Sequence, residues 1–202
     1  QALNIPEQEV LVSSTGVIGQ YLPIEKIENG IVEAASMLSV DGHTSSAEAI
    51  MTTDSHAKTF FKSIDGVSIY GAAKGAGMLA PALATMLVVL ATDALVNPDS
   101  AEKIFKDVIG ETFNRLDSDG CMSTNDTVAF LASGASGKAI SDDQLREMLY
   151  EVSFNLAQQL INRSRIAQTL TEWRGAPAVN IEAIEHILLR VSEMACELPQ
   201  LV

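Results

Sequence analysis

Apolar positions follow two rhythms along the chain, short contiguous runs and helical spacing, and their alternation sets the expected architecture. Val10 to Gly19 (VLVSSTGVIG) opens on a β-branched run and ends among Ser, Thr and Gly, which predicts a buried strand entering a tight turn. Ile24, Ile27, Ile31, Ala34, Ala35 and Leu38 recur at helical spacing. Ala49 to Asp54 (AIMTTD) reads as another strand end, and SIDGVSIYGAAKGAG carries expected turn glycines at Gly66, Gly71, Gly75 and Gly77. Gly75 to Thr92 holds no charged residue, at the lower edge of the roughly 17–25 residues a membrane span needs. Pro81 interrupts it and Thr85 and Thr92 dilute it, so a buried core segment is expected instead.

Further on, Asn97-Pro98-Asp99 predicts a helix start with proline in the first turn. Its expected buried stripe is Ile104, Phe105, Val108, Ile109, Phe113 and Leu116. Thr127 to Ser133 reads as a strand and Gly134 to Gly137 as a loop. Ser141 and Gln144 have capping-box spacing and introduce a helix to about Ile161. Strands alternating with amphipathic helices predict an α/β fold. Residues 163–177 are basic and broken by Gly175 and Pro177, and Asn180 is expected to cap a final helix. The chain therefore divides into a core over 1–160 and a helical tail over 161–202.

Composition narrows the function more than it defines it. With 202 residues, 47% hydrophobic and 19% charged, the chain can bury a core and is not of a disordered kind. Thirteen Lys and Arg against 26 acids give a net charge of −13, which argues against a nucleic-acid surface. Cys121 and Cys196 form no CxxC pair and are expected to be reduced structural thiols. His43, His56 and His186 have no zinc-site spacing. No secretory segment is seen at the start, so a cytoplasmic protein is expected; the opening Gln1 in place of Met predicts a fragment or a processed product.

Familiar catalytic templates fail. GAAKGAG lacks the order of a P-loop, Gly75-Ala-Gly77 lacks the third glycine of a dinucleotide turn, and there is no GxSxG elbow. Asp117-Ser-Asp119-Gly120 begins like a calcium loop, but Cys121 and Val128 stand where ligands are needed. Polar residues beside glycines remain: Ser14-Thr15-Gly16, Thr52-Thr53-Asp54, Lys74 to Gly77, and Thr85 within Pro81 to Leu87. Taken singly, a threonine in an apolar run is usually a core hydroxyl and a lysine a solvated charge. Spacing alone does not select Thr85.

Taken together, these segments resemble the ornithine acetyltransferase family, self-cleaving acyltransferases of arginine biosynthesis. The resemblance rests on VLVSSTGVIGQYLP, AIMTTD with Lys58 four residues on, KGAGMLAPALATML, ATDA and DGCMSTNDTV, in that family's order. It implies a layered α/β sandwich of the kind shared with self-cleaving aminopeptidases, here incomplete. It implies cleavage between Ala84 and Thr85, after which Thr85 is the nucleophile and its new α-amino group the base for its own hydroxyl. Such an amine has a pKa of about 7.7–8.0, close to working pH. By the same resemblance Thr15 and Gly16 form the oxyanion hole, while Lys74 and one of Thr52 and Thr53 bind substrate. The expected reaction moves an acetyl group from N-acetylornithine to glutamate through an acetyl-threonine. No cofactor is expected, and acetyl-CoA is kept open as a further substrate. The cleaved α and β pieces are expected to assemble into an oligomer, with no membrane and no nucleic-acid partner. Ser123, Thr124, Asn125 and Asp126 match the family and are expected to be structural; Cys121-Met122 departs from its more polar pair.

The family's long N-terminal segment does not precede VLVSSTG, and nothing after Ile161 resembles its continuation. Residues 172–202 are instead similar to the ATP-grasp region of NDP-forming acyl-CoA synthetases, without that family's following acidic segment. Two other readings stand beside the enzyme: an inactive truncated or fused homologue acting as a binding or structural protein, and an N-terminal-nucleophile peptidase.

Overall fold

The structure, a computed structural model, describes residues 2–16, 19–75, 85–116 and 123–162. Its centre is a four-stranded sheet in sequence order, β1 (Lys58–Ile64), β2 (Val67–Lys74), β3 (Leu87–Thr92) and β4 (Thr127–Ala132). The first two pairings are antiparallel and β3 runs parallel to β4. A parallel pair needs a crossover, and helix α3 (Pro98–Glu111) lies in it. Helix α4 (Asp142–Asn162) packs on α3 and across β1 and β2. Two further helices, α1 (Ile24–Ser36) and α2 (His43–Ala49), precede the sheet. The mixed α/β composition agrees with the expected fold class.

The helical half follows its local signals. Asn97 caps α3 by accepting the Asp99 amide at 3.0 Å, with Pro98 in the first turn. Ser141 and Gln144 form the reciprocal capping box, each side chain bonding the other's amide. Val108, Phe113 and Leu116 are buried as expected, and Ala101 joins them. On α4, Leu145, Met148, Leu149, Val152, Leu156 and Leu160 form one buried stripe against Ile69, Ala73, Val88 and Leu90. Each fully buried aliphatic side chain here contributes about 1.5–3 kcal/mol. Gly71 lets α4 approach β2: a Cβ there would meet Leu156 and Val152 at 2.7 Å.

Three expectations fail. The described part of Val10–Gly19 is not a buried strand: Val10, Leu11 and Val12 are exposed and join no ladder among the described residues. AIMTTD is not a strand end but the exit of α2 followed by a bend. Gly71 marks no turn; it lies within β2. The turn is at Asp65-Gly66, both at positive φ (53° and 75°), the conformation of a two-residue hairpin joining β1 to β2. Gly75 directly follows β2, and Gly77 lies outside the described residues. Within Gly75–Thr92 the described part supplies Gly75, Thr85, Met86 and β3, and among the described residues no helix is long and apolar enough to cross a membrane. Residues 163–202, with the expected tail helix, also lie outside.

Register divides the two sheet faces. Val67, Ile69, Gly71 and Ala73 face α4, while Ser68, Tyr70, Ala72 and Lys74 face the other way. On that second face Phe61, Val89 and Leu131 are solvent-exposed, and the Tyr70 hydroxyl reaches the His43 carbonyl at the start of α2.

Candidate functional site

The site grows from the ends of β2 and β3. Lys74 is the last residue of β2, and it pairs in register with Leu87, the first of β3. Thr85 and Met86 immediately precede that strand, so Lys74 and Thr85 share one end of the sheet. A lysine at a strand end is ordinarily solvated, yet Lys74 is only 3% exposed. Desolvation lowers its pKa from 10.5, with Lys58 adding to the effect; Asp54 and Asp126 oppose it.

Its ammonium donates to Thr15 Oγ1 at 3.2 Å. Because an ammonium can only donate, Thr15 Oγ1 is the acceptor and its own proton is left to donate elsewhere. The contact brings Thr15, 59 residues distant in sequence, to the sheet end that carries Thr85. Gly16 follows, exposed, and a Cβ on it would meet the Leu22 side chain at 3.1 Å. Among the described residues no hydrogen bond joins Thr15 or Gly16 to Thr85 itself.

Asp54 fastens the second substrate-binding candidate. One carboxylate oxygen accepts from Lys58 at 2.5 Å and from the Gly75 amide at 2.8 Å, while the other accepts the Thr52 amide at 3.3 Å. The bend bearing exposed Thr52 and Thr53 is thereby pinned to the residue after Lys74. Both side chains of the Asp54–Lys58 pair are buried, at 0% and 1% exposure. Burial pushes the Asp54 carboxyl up, but the bonds from Lys58, Gly75 and Thr52 together hold it below its ordinary 3.8.

The loop before β4 closes the other side. Thr85 Oγ1 lies 3.0 Å from Ser123 Oγ. Asp126 accepts the Met86 amide on Oδ1 at 2.6 Å, and the Thr127 amide donates to the Met86 carbonyl at 2.9 Å. Met86 is thus held on both its polar backbone atoms. Asp126 Oδ2 is buried and has no hydrogen-bond partner among the described residues. Desolvation raises the Asp126 pKa above its ordinary 3.8, against the Met86 bond and the charge of Lys74. Ser123, expected to be merely structural, is the described partner of the Thr85 hydroxyl.

The structure therefore brings Thr15, Lys74, Thr85 and the Thr52–Thr53 bend to one end of the sheet; Ala84 lies outside the described residues. Sequence reasoning passed over Asp54 except as the last letter of a motif, and no local signal singles out Asp126 as the Met86 partner. Among the described residues no group of three or more His, Cys, Asp or Glu side chains is placed to hold a metal ion. A cleft lined by Ile64, Asp65, Lys138 and Glu147 lies at the opposite, hairpin end of β2.

The ArgJ family model matches residues 1–192. The chain belongs to the ArgJ family. Similar ArgJ relatives include arginine biosynthesis bifunctional protein ArgJ 1 of Streptomyces clavuligerus, 51% identical over 160 residues, 79% of this chain and 42% of the relative. Arginine biosynthesis bifunctional protein ArgJ of Thermotoga neapolitana is 43% identical over 190 residues, 88% of this chain and 48% of the relative. That of Nitratidesulfovibrio vulgaris is 42% identical over 194 residues, 93% of this chain and 49% of the relative. The chain spans less than half the length of these relatives. The match to the ArgJ family model continues past Ile161, where the sequence alone offered no likeness to that family.

Proposed function

We propose that this chain carries the nucleophile of an acetyltransferase of arginine biosynthesis, which cleaves itself before Thr85 and then moves acetyl from N-acetylornithine to glutamate. The observation that carries the reading is the gathering of Thr15, Lys74 and Thr85 around one sheet end in a member of the ArgJ family. Its relatives are named for bifunctional roles in arginine biosynthesis, which supports the same pathway here.

In the cleavage, Thr85 Oγ attacks the Ala84 carbonyl carbon. The C–N bond breaks, an ester forms, and the hydroxyl proton ends on the departing Thr85 nitrogen. Water then hydrolyses the ester, leaving an Ala84 carboxylate and a free Thr85 hydroxyl and α-amine. In the transfer, the amine takes the Thr85 hydroxyl proton as Oγ attacks the acetyl carbonyl, and passes it to the leaving ornithine nitrogen. Glutamate's amine attacks the acetyl-threonine in turn, and its proton returns to Oγ. Thr15, its lone pair occupied by Lys74, has its O–H available for the oxyanion, with the Gly16 amide as second donor. Lys74 and the Thr52–Thr53 bend would receive the substrate carboxylate.

The finer parts of the reading have separate supports. A layered sandwich is supported by the exposed apolar side chains Phe61, Val89 and Leu131 on the sheet face away from α4, which a second layer would cover. A boundary near Ile161 and an ATP-grasp likeness of the tail are carried by sequence alone, and the family model extends over the tail to residue 192. Acetyl-CoA as a further substrate, an oligomer of cleaved pieces and a cytoplasmic location are proposed alongside this reading.

The test is the intact mass of the purified chain beside Thr85→Ala. Two fragments meeting between Ala84 and Thr85, absent from the variant, are expected. One uncut chain in both samples refutes the self-cleaving enzyme for this chain. Release of amino acids from peptides without acetyl transfer would favour the peptidase reading.

A further inference from the structure

We propose that Asp126 positions the amino end of Thr85, its Oδ1 holding the Met86 amide and its Oδ2 receiving the α-ammonium that cleavage before Thr85 creates. This rests on the self-cleaving reading above. Met86's nitrogen is one residue on from Thr85's nitrogen, and Asp126 Oδ1 already lies 2.6 Å from it. The second oxygen of the same carboxylate is buried and, among the described residues, without a hydrogen-bond partner. A buried carboxylate oxygen without a donor is unfavourable, and such atoms call for a ligand or a chemical role. Cleavage supplies the missing donor. It turns a neutral peptide nitrogen, one residue from the Met86 amide, into a cation with three protons.

Among the described residues the charges around this point are few. Lys74 of β2 is the cation acting on Asp126, with Asp54 and Lys58 behind it. Lys74 donates to Thr15 and, among the described residues, makes no hydrogen bond to Asp126 Oδ2. Asp126 is a positioning residue, acting on the reaction through the amine: a carboxylate beside the ammonium raises the amine's pKa and fixes its direction towards Oγ. Ser123, from the same loop as Asp126, lies 3.0 Å from the Thr85 hydroxyl.

Two measurements test this on the full chain. Carboxyl titration of carbon-13-labelled Asp126 is followed by NMR in the cut wild type and in uncut Thr85→Ala. The Asp126 midpoint is expected to be lower in the cut chain by about one pH unit or more, as for a carboxylate gaining a cation within about 4–6 Å. Equal midpoints overturn the proposal. Separately, Asp126→Asn keeps an oxygen for the Met86 amide but loses the charge. The pH at which the Thr85 α-amine becomes reactive to acylating reagents should fall in this variant, and rescue by Asp126→Glu should raise it again. An unchanged amine titration in a cut Asp126→Asn chain overturns the proposal and leaves the self-cleaving function standing. A wild-type chain that never cuts overturns both, which separates the two failures.

Discussion

Replacing Asp54 with Ala should be among the most damaging single changes outside the apolar core. Asp54 and Lys58 are a fully buried ion pair, and Asp54 also accepts the Gly75 and Thr52 amides. Removing one partner of a buried pair leaves the other as an uncompensated charge, at about 3–5 kcal/mol. The orphaned Gly75 amide makes the upper part of that range the better expectation, since an unsatisfied buried donor alone costs about 1–3 kcal/mol. Against a total stability of about 5–15 kcal/mol this threatens the fold. With a urea slope of about 2 kcal/mol/M, the midpoint should fall by about 2 M. The double change Asp54→Leu with Lys58→Met removes both charges and should recover most of the loss, though not the share due to Gly75. The pH dependence has a fixed sign. A carboxyl held below its ordinary 3.8 in the fold contributes stability that is present above that value. The contribution is lost as pH falls from there through the folded value, so wild type and Asp54→Ala should converge in acid. Urea unfolding followed by circular dichroism at pH 7 and across the acid range measures all of this. A single variant within 1 kcal/mol of wild type, or a double variant no better than the single, would refute the reasoning.

The sheet and the nucleophile offer two further checks. Gly71→Ala places a methyl within 2.7 Å of Leu156 and Val152 and 3.0 Å of Leu90, so it should destabilise by about 1–3 kcal/mol in the same urea assay; a neutral effect would mean that α4 does not seat on β2 as described. Ser123→Ala removes the Thr85 hydroxyl's described partner, worth about 0.5–1.5 kcal/mol, and should slow appearance of the cut fragments by up to about tenfold on a gel time course.

What could be read from the sequence was whatever local chemistry decides. Asn97, Pro98, Ser141 and Gln144 signal helix starts within a few residues of themselves, and both helices begin there. The β1–β2 hairpin was hidden for a physical reason: β1 turns Phe60 and Lys62 towards the helix layer, and Lys62 is neutralised by Glu151 of α4. A pattern that buries lysines cannot be recognised before their partners are known, and those partners are 89 residues away for Lys62. The Val10–Val12 run shows the opposite error, since β propensity makes no strand without a neighbour to pair with. At the site, resemblance selected Thr85, Thr15 and Lys74. It included Asp54 in a motif without giving it a role and expected Asp126 to be structural; what it did not give is their bonds to backbone amides 21 and 40 residues off.

The charges at the sheet end explain how such a site tolerates burial. Asp54, Lys58, Lys74 and Asp126 interact as two anions and two cations, so the set is neutral before any cleavage. Neutrality is what allows two lysines to sit at 1% and 3% exposure, because each buried charge needs a partner. An α-ammonium at Thr85 would add a fifth charge and make the set positive. Asp126 would favour that cation and nearby Lys74 would disfavour it, and the two influences oppose each other across a short distance. Asp126 would thereby raise the amine's pKa and Lys74 would lower it, so the balance of the two sets where the amine takes and returns a proton. On this argument the missing histidine is no gap: the same four charges that hold the sheet end together would tune a terminal amine to do a histidine's work.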